Sequence, residues 1–197
     1  MRAKPIILAF DTSAAHCAAA LVSGDACTVM VEVMARGQGE RLMPLVEELL
    51  SQTGQTWADL DAIGVGIGPG NFTGIRIAVS AARGAALGLG IPAIGVSNFD
   101  AIAHGKPRPV TAYLPAPRGQ RYAQDLSAAD TQPATSAPRL EDGQATAPDA
   151  TASITAIARI AAARLSDLTQ PHPRPAPLYV RPADAAPSRD APPTILP

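Results

Sequence analysis

The amino-acid sequence predicts an α/β protein, in which short buried strands alternate with amphipathic helices. Two observations support this class. The apolar run at 62–67 has the length of a buried strand and is followed by a glycine-rich turn. The stretches 42–50 and 74–89 instead place apolar side chains three and four residues apart, which is the period of a helix. At 197 residues, the chain can bury a core in one domain or in two small ones.

Glycine and proline divide the chain into two parts. Fourteen of the 16 glycines precede residue 107, whereas 16 of the 20 prolines lie at or after it. We therefore predict a compact α/β unit at 1–106 and a smaller unit at 107–182. Residues 127–150 are predicted to be a flexible surface segment and 183–197 a disordered tail, because their composition offers little to bury.

The elements of the first unit follow from apolar patterns and their boundaries. In chain order they are strands at 6–10, 16–23 and 26–34, a helix at 42–50, a strand at 62–67, a helix at 73–89, a strand at 93–96 and a short helix to residue 104. Gly24-Asp25 supplies the hairpin turn. Gly54 ends the first helix, whose Pro44 is tolerated in the first turn. Ser97, with Asp100 three residues later, caps the short helix.

The hairpin register bears on the two cysteines. With its turn at Gly24-Asp25, Cys27 lies opposite Val22 and Cys17 lies near Glu32. The two sulfur atoms do not face each other, so we predict free thiols in a reducing compartment.

The second unit has fewer signals. Its predicted elements are paired strands at 110–114 and 121–126, a helix marked by Ile154, Ile157, Ala161, Leu165 and Leu168, an extended stretch at 171–177 and a strand at 179–180. No regular structure is predicted within 127–150.

Composition excludes several classes of protein. The 16 basic and 17 acidic residues form no basic cluster, so any nucleic acid is predicted to be held mostly by a partner. The apolar run at 5–10 is too short for a signal or membrane segment, which predicts a cytoplasmic chain without membrane contact. His16, His104 and His172 show no metal-ligand spacing, and we predict no metal, no cofactor and no catalytic residue.

A glycine-rich stretch, Gly68 to Arg76, lies between the strand at 62–67 and the helix at 73–89. Backbone N–H groups gather at such a turn, where they can hold an anion or a close-packed backbone. The stretch lacks the Lys-Ser/Thr pair of a Walker A loop, the third glycine of the dinucleotide fingerprint and the serine of a nucleophile elbow. It is therefore a special turn without a standard phosphate-transfer or nucleophile motif.

The same stretch resembles the hallmark loop of the TsaB (YeaZ) family. Other segments agree with that family in order and spacing, namely 7–13, 40–44, 95–97 and 178–182. The resemblance is dense over 5–105 and thin after it. It implies an actin-like ATPase (ASKHA) fold of two lobes, with the second lobe reduced.

The resemblance implies a non-catalytic scaffold. Members of the family pair with TsaD, which transfers a threonylcarbamoyl group to the N6 of the adenosine beside the anticodon of tRNA, and the ATPase TsaE joins the assembly. This chain is expected to supply dimer surface, with tRNA held mainly through the complex. Two alternatives stay open. One is a homodimer through the same helices, and the other is a small actin-like phosphotransferase that uses Mg-nucleotide.

A vestigial nucleotide pocket is the first candidate site that the resemblance implies. Asp11, Thr12 and Ser13 follow the first strand, where actin-like ATPases place a phosphate loop, and Gly68 and Gly70 belong to the second turn. Because no glycine stands at 12–14, tight wrapping of a phosphate is not expected. The alternative is that Asp11 and Ser13 satisfy the N–H groups of their own turn.

A partner interface on two helices is the second candidate site. Small residues form one stripe of the helix at 73–89, where another helix could approach closely: Gly74, Ala78, Ala81, Ala85 and Gly88. The neighbouring stripe, which begins at Ile75, is expected to face the chain's own sheet. Leu42, Val46 and Leu50 of the preceding helix complete the predicted interface. The alternative is that both stripes are buried within the chain.

Overall fold

The computed structural model describes residues 4–127, 134, 136–167 and 173–180. Its strands are β1 (Ile6–Asp11), β2 (His16–Ser23), β3 (Ala26–Val33), β4 (Ala62–Gly66), β5 (Ala93–Val96), β6 (Val110–Pro115), β7 (Gln120–Leu126) and β8 (Arg139–Asp142). Its helices are α1 (Gln38–Thr53), α2 (Phe72–Leu89), α3 (Asn98–Ala103) and α4 (Ala150–Ser166). The predicted tail at 183–197 and Leu168 lie outside the described residues.

Five strands form the larger sheet, in the order β3-β2-β1-β4-β5. The β2–β3 hairpin has the predicted register, with Cys17 opposite Glu32 and Cys27 opposite Val22. Strands β1, β4 and β5 are parallel, so their carboxyl ends lie along one edge of the sheet. Buried strands and helices alternate as expected, which confirms the α/β prediction.

Helices cover both faces of this sheet. On β1, Leu8 and Phe10 face one core cluster, which α1 and α2 complete. Ile7 and Ala9 face the opposite cluster, which α4 completes. This arrangement follows from the two-residue period of a strand, which sends alternate side chains to opposite faces. Because both faces are covered, all six residues of β1 are buried.

Helix α4 does not pack within the unit to which the sequence assigns it. The sequence places it in the unit at 107–182, yet it packs across β1, β2 and β4 of the larger sheet. Small residues make this possible, because a Cβ atom at Gly64 would overlap the methyl group of Ala161. The apolar face of α4 thus packs on the first unit, so the packing does not follow the predicted boundary at residue 106.

Helix α1 begins earlier than predicted. It starts at Gln38, so Pro44 lies in its second turn rather than its first. The Arg41 N–H already donates to the carbonyl oxygen of Gly37 at 3.0 Å, which forms a helical turn before the proline. Glu40, whose carbonyl group loses its N–H partner at Pro44, is exposed and can be solvated instead.

Three strands form the smaller sheet, in the order β6-β7-β8. The β6–β7 pair is the predicted one. Strand β8 lies inside 127–150, where no strand is predicted from the sequence. It pairs antiparallel with β7, and ion pairs link the two strands, since Arg121 contacts Glu141 at 3.1 Å and Arg139 contacts Asp125 at 2.8 Å. Leu140 is the one apolar residue of this four-residue strand, so β8 has no apolar periodicity that the sequence could reveal.

The segment 173–180 contains no strand, in contrast to the prediction at 179–180. It joins the core through one backbone hydrogen bond, in which the Leu178 N–H donates to the carbonyl oxygen of Ile67 at 2.8 Å. A single bond does not make a ladder. None of the described helices has both the length and the apolar character that a bilayer crossing requires.

Candidate functional site

Two turns lie side by side at the carboxyl edge of the larger sheet. One follows β1 and contains Thr12 and Ser13, and the other joins β4 to α2. The backbone N–H of Asn71 donates to the carbonyl oxygen of Ser13 at 2.6 Å. The Thr12 hydroxyl donates to the carbonyl oxygen of Gly74 at 2.7 Å. The turns are therefore hydrogen-bonded to each other.

The glycines of the second turn permit this contact. A Cβ atom at Gly70 would overlap the carbonyl oxygen of Ser13, and one at Gly74 would overlap that of Thr12. Gly68 adopts a φ of +95°, a conformation that side-chain-bearing residues rarely take. Close approach of a backbone is what these glycines allow, and here the approaching backbone belongs to the chain itself.

The Asp11 carboxylate at the end of β1 is also engaged. It is 3% exposed, and its Oδ2 atom accepts from the Ser13 hydroxyl at 2.9 Å and lies 2.8 Å from the His16 Nε2 atom. Its Oδ1 atom is buried, has no hydrogen-bond partner among the described residues and lies beside Gly66. The carboxylate thus bonds to side chains, rather than to the turn N–H groups considered above.

An open cleft of about 470 Å³ lies above these turns, between them and the smaller sheet. Its polar wall includes Asp11, Ser13, His16 and Asn98, and the stretch 114–117 forms the apolar wall opposite. Asn98 Nδ2 donates to the Ser13 hydroxyl at 2.7 Å and to the carbonyl oxygen of Pro69 at 3.0 Å. Of the predicted pocket residues, Asp11, Ser13 and Gly70 line this cleft, whereas Thr12 and Gly68 are buried in the two turns.

The capping predicted for the short helix is confirmed. The Ser97 side chain accepts from the Asp100 N–H at 3.0 Å. Asp100 also pairs with Arg164 of α4 at 2.9 Å, and both side chains are nearly buried. This contact fixes α3, and with it Asn98, against α4.

An aromatic and cationic cluster adjoins the glycine turn. The Phe72 ring stacks on the Tyr179 ring with centroids 5.1 Å apart, and the Arg76 guanidinium lies 3.9 Å above the Phe72 centroid. Arg76 Nε donates to the Tyr179 hydroxyl at 2.8 Å. Neither Phe72 nor Tyr179 is among the predicted site residues. The segment at 178–182, which resembles the family pattern, is the signal that could have pointed to Tyr179.

The predicted interface residues require a correction. Leu42, Val46 and Leu50 of α1 are buried in the chain's own core, and so are Gly74 and Ala78 of α2. Their side chains cannot contact a partner in this fold. Periodicity identifies residues that share a stripe, but packing on the sheet decides which stripe faces inward, and α2 turns part of both stripes toward it.

The rest of the small-residue stripe is more accessible. Ala81 and Ala85 are half-buried, and Gly88 is exposed. Larger apolar side chains are also exposed on the two helices, namely Leu87 of α2, which is 80% exposed, and Met43 of α1, which is 40% exposed. We call Met43, Ala81, Ala85, Leu87 and Gly88 the outer helix surface. Leu87 was missed because it lies off both predicted stripes.

Charges around Arg41 fasten α1 to the edge strand β3. Its guanidinium donates to Glu32 at 2.8 Å and to Glu48 at 2.7 Å. These hydrogen bonds hold the pKa of both carboxyl groups below their usual range. On the neighbouring strand, burial raises the pKa of the Cys17 thiol to about 11, so the thiolate that could act as a nucleophile is scarce near neutral pH.

Among the described residues, no group of three or more His, Cys, Asp or Glu side chains is arranged to hold a metal ion. Cys17 and Cys27 are not joined to each other.

The chain is similar to proteins of known name. The family model described as "TsaD: tRNA N6-adenosine threonylcarbamoyltransferase" matches residues 29–164. The tRNA threonylcarbamoyladenosine biosynthesis protein TsaB of Escherichia coli (strain K12) is 38% identical over 99 residues, covering 50% of this chain and 43% of that protein. The same-named protein of Haemophilus influenzae is 37% identical over 97 residues, covering 49% and 41%. The matched part thus spans less than half the length of these relatives.

Solved structures extend the comparison. YeaZ from Pseudomonas aeruginosa is 31% identical to this chain. The alignment covers 73% of this chain and 68% of that one, with a TM-score of 0.56. A second structure, described as similar to the peptidase YEAZ from Pseudomonas aeruginosa, is 22% identical, with a TM-score of 0.72 over 90% of this chain and 100% of that one. The second match bears on the fold alone. With the family match, it confirms the actin-like fold.

Proposed function

Because the chain belongs to the TsaB (YeaZ) family, we propose that it is a non-catalytic subunit in the synthesis of threonylcarbamoyladenosine on tRNA. In this proposal it pairs with a catalytic subunit of the TsaD type and supports it. The names of the similar proteins support the pathway. The geometry of this chain supports the non-catalytic role.

The closed pair of turns is the observation that carries the proposal. In an actin-like ATPase, the gap between the two turns is where phosphate would lie. Here Asn71 donates its N–H to Ser13, Thr12 donates its hydroxyl to Gly74, and neither group is free for a phosphate oxygen. Opening the gap would break both bonds and leave buried polar groups unsatisfied. These two turns therefore offer no ready phosphate site.

The outer helix surface also supports a scaffold role. Leu87 and Met43 expose apolar area on neighbouring helices that pack against each other. On α2, Ala81 and Ala85 are half-buried and Gly88 is exposed, and their small size would let a partner helix approach closely. A scaffold needs such a surface, whereas a monomeric phosphotransferase does not.

The phosphotransferase alternative has one observation in its favour. The 470 Å³ cleft is large enough for a ligand and contains Asp11. However, that carboxylate already contacts His16 and Ser13, and the backbone donors beside it are used internally. We therefore prefer the scaffold.

The other partners follow from the same proposal. TsaE would join the assembly, tRNA would be contacted mainly through the complex, and the chain would work in the cytoplasm, where tRNA is modified. A homodimer through the outer helix surface would be a resting form, because it would occlude the area that the catalytic subunit uses.

A binding titration tests the proposed surface. The full chain and its Leu87→Asp variant are titrated in a calorimeter with the TsaD-type protein of the same organism. We expect the variant to bind at least about a hundredfold more weakly, because a desolvated carboxylate in an interface costs several kcal/mol. Leu87 is 80% exposed, so the isolated variant should remain folded by circular dichroism.

Val33→Asp is the matched control. Val33 is 89% exposed and lies at the end of edge strand β3, remote from α2. It should leave the affinity unchanged. Equal binding by the Leu87 variant and the wild-type chain would show that the surface is elsewhere, and loss with both variants would point to a general effect of charge.

A further inference from the structure

An open cavity lies on the other side of the molecule from the outer helix surface. It has a volume of about 750 Å³ and is lined by residues of α3, the first half of α4 and β6. A smaller cavity of about 320 Å³ adjoins it, and the two share Ile102, Lys106, Tyr113 and Thr146. Helix α4 covers the sheet face opposite to α1 and α2. This cavity is therefore separate from the proposed partner surface.

The cations of this cavity lack carboxylate partners. Within the described part of the chain, Lys106 makes no ion pair, and Arg159 donates to a backbone carbonyl group, that of Asp25, at 3.2 Å. The carboxylate that lines the cavity belongs to Asp149, whose Oδ1 atom accepts from the Ala152 N–H at 2.7 Å and caps α4. Two cations thus line a ligand-sized space together with one carboxylate that is already engaged.

The remaining wall suits a flat apolar group. Tyr113 is 38% exposed at the junction of the two cavities, and the Arg121 guanidinium lies 4.1 Å above the centroid of its ring. Ala101, Ile102 and Ala156 add apolar surface to the larger cavity. An aromatic body can pack against such side chains while a charged group reaches the cations.

We propose that this cavity binds a nucleoside phosphate, with the phosphate at Lys106 and Arg159 and the base against Tyr113 and Ile102. The volume lies within the range of small-molecule sites, and inorganic phosphate alone would leave most of it unfilled. A free mononucleotide and one nucleotide of an RNA strand share this chemistry. The inference goes beyond the proposed function and does not depend on it.

The test uses 5′-AMP without Mg²⁺, added to the full isotope-labelled chain and followed by amide shifts in NMR spectra. We expect shifts at Ala101, Tyr113 and Ala156, and weaker binding of adenosine, which lacks the phosphate. Lys106→Gln should weaken AMP binding at least about tenfold, because a charge-assisted hydrogen bond is lost. Arg83 is an exposed residue of α2, so Arg83→Gln removes one positive charge away from the cavity and should leave AMP binding unchanged.

Several outcomes would overturn the proposal. These are the absence of shifts around Tyr113, equal affinity for adenosine and AMP, or equal weakening by the Lys106 and Arg83 variants. Shifts confined to Ala14 and Ala35 would place the nucleotide in the 470 Å³ cleft instead. If AMP does bind as expected, a trinucleotide that binds more tightly would identify an RNA strand as the source, and one that binds more weakly would identify a free mononucleotide.

Discussion

The two sheets of this protein are stabilised by different interactions. The five-stranded sheet is buried on both faces, and its central strand β1 has no exposed residue. The three-stranded sheet has one small core, to which Leu114 and Leu126 contribute. Its outer strand β8 pairs with β7 through a short ladder, to which Arg121 and Arg139 add ion pairs. Exposed pairs of this kind contribute little to stability, whereas apolar burial contributes much.

This difference bears on function. The closed turns and α2 belong to the five-stranded sheet, so the proposed scaffold surface rests on the more stable part of the molecule. The cavity at Lys106 lies where that part meets β6, a strand of the weaker sheet. We expect the first region to behave as a fixed platform and the second to respond to pH and to ligands.

Truncation of buried leucines should give the largest contrast. Leu49→Ala in α1 removes a fully buried side chain, and we expect the free energy of unfolding to fall by about 2–5 kcal/mol. Leu140→Ala in β8 removes a half-buried one and should cost about 1 kcal/mol or less. Urea unfolding monitored by circular dichroism measures both. Equal losses would contradict the comparison.

Two glycines of α2 should respond in opposite directions to the same change. Gly74→Ala would place a methyl group against the Thr12 carbonyl oxygen, and the backbone cannot easily move to relieve this overlap. We therefore expect the free energy of unfolding to fall by about 1–3 kcal/mol. Gly84→Ala meets nothing within 4 Å and should stabilise the helix by up to about 1 kcal/mol. Thermal unfolding distinguishes them. A stabilised Gly74 variant would show that the two turns are not closely packed.

Acid should loosen β8 before β1, and this is the smallest expected effect. Hydrogen bonds from Arg139 lower the pKa of Asp125 and Glu141 below their ordinary values of 3.8 and 4.5. Their contribution is therefore complete above about pH 4.5 and is lost as the pH falls through the lower folded-state values.

Amide hydrogen exchange at neutral and acidic pH measures this effect. We expect β8 amides to lose protection at the lower pH while those of β1 keep it. Arg139→Gln should weaken β8 protection already at neutral pH. Simultaneous loss in both strands would indicate one cooperative unit instead of two that differ in stability.

The sequence predicts the apolar part of the fold well, for a physical reason. Strands and helices of the larger sheet repeat apolar residues at two- and three-to-four-residue periods, and glycine marks their ends. The hairpin register followed from a single turn, Gly24-Asp25, because a two-residue turn fixes the opposite pairs. Strand β8 could not be found in this way, since Leu140 is the one apolar residue among its four.

The candidate sites were predicted only in part. The resemblance implied a pocket at Asp11, Thr12, Ser13, Gly68 and Gly70. Three of these residues, Asp11, Ser13 and Gly70, line one cleft. That the turns bond to each other could not be read from the sequence, because it depends on the distance between two backbones. The same limit applied to the interface, where the burial of Leu42, Val46 and Leu50 is a property of the packed sheet.

Reconstituted transfer of the threonylcarbamoyl group to tRNA, by the TsaD-type protein with and without this chain, tests the central claim most directly. TsaE, ATP and the activated threonylcarbamoyl donor are kept constant. If the chain is a scaffold, transfer requires it, survives Asp11→Asn and is lost with Leu87→Asp. Loss of transfer with Asp11→Asn in a folded, partner-binding variant, together with full activity of Leu87→Asp, would contradict the account and favour a nucleotide-using enzyme.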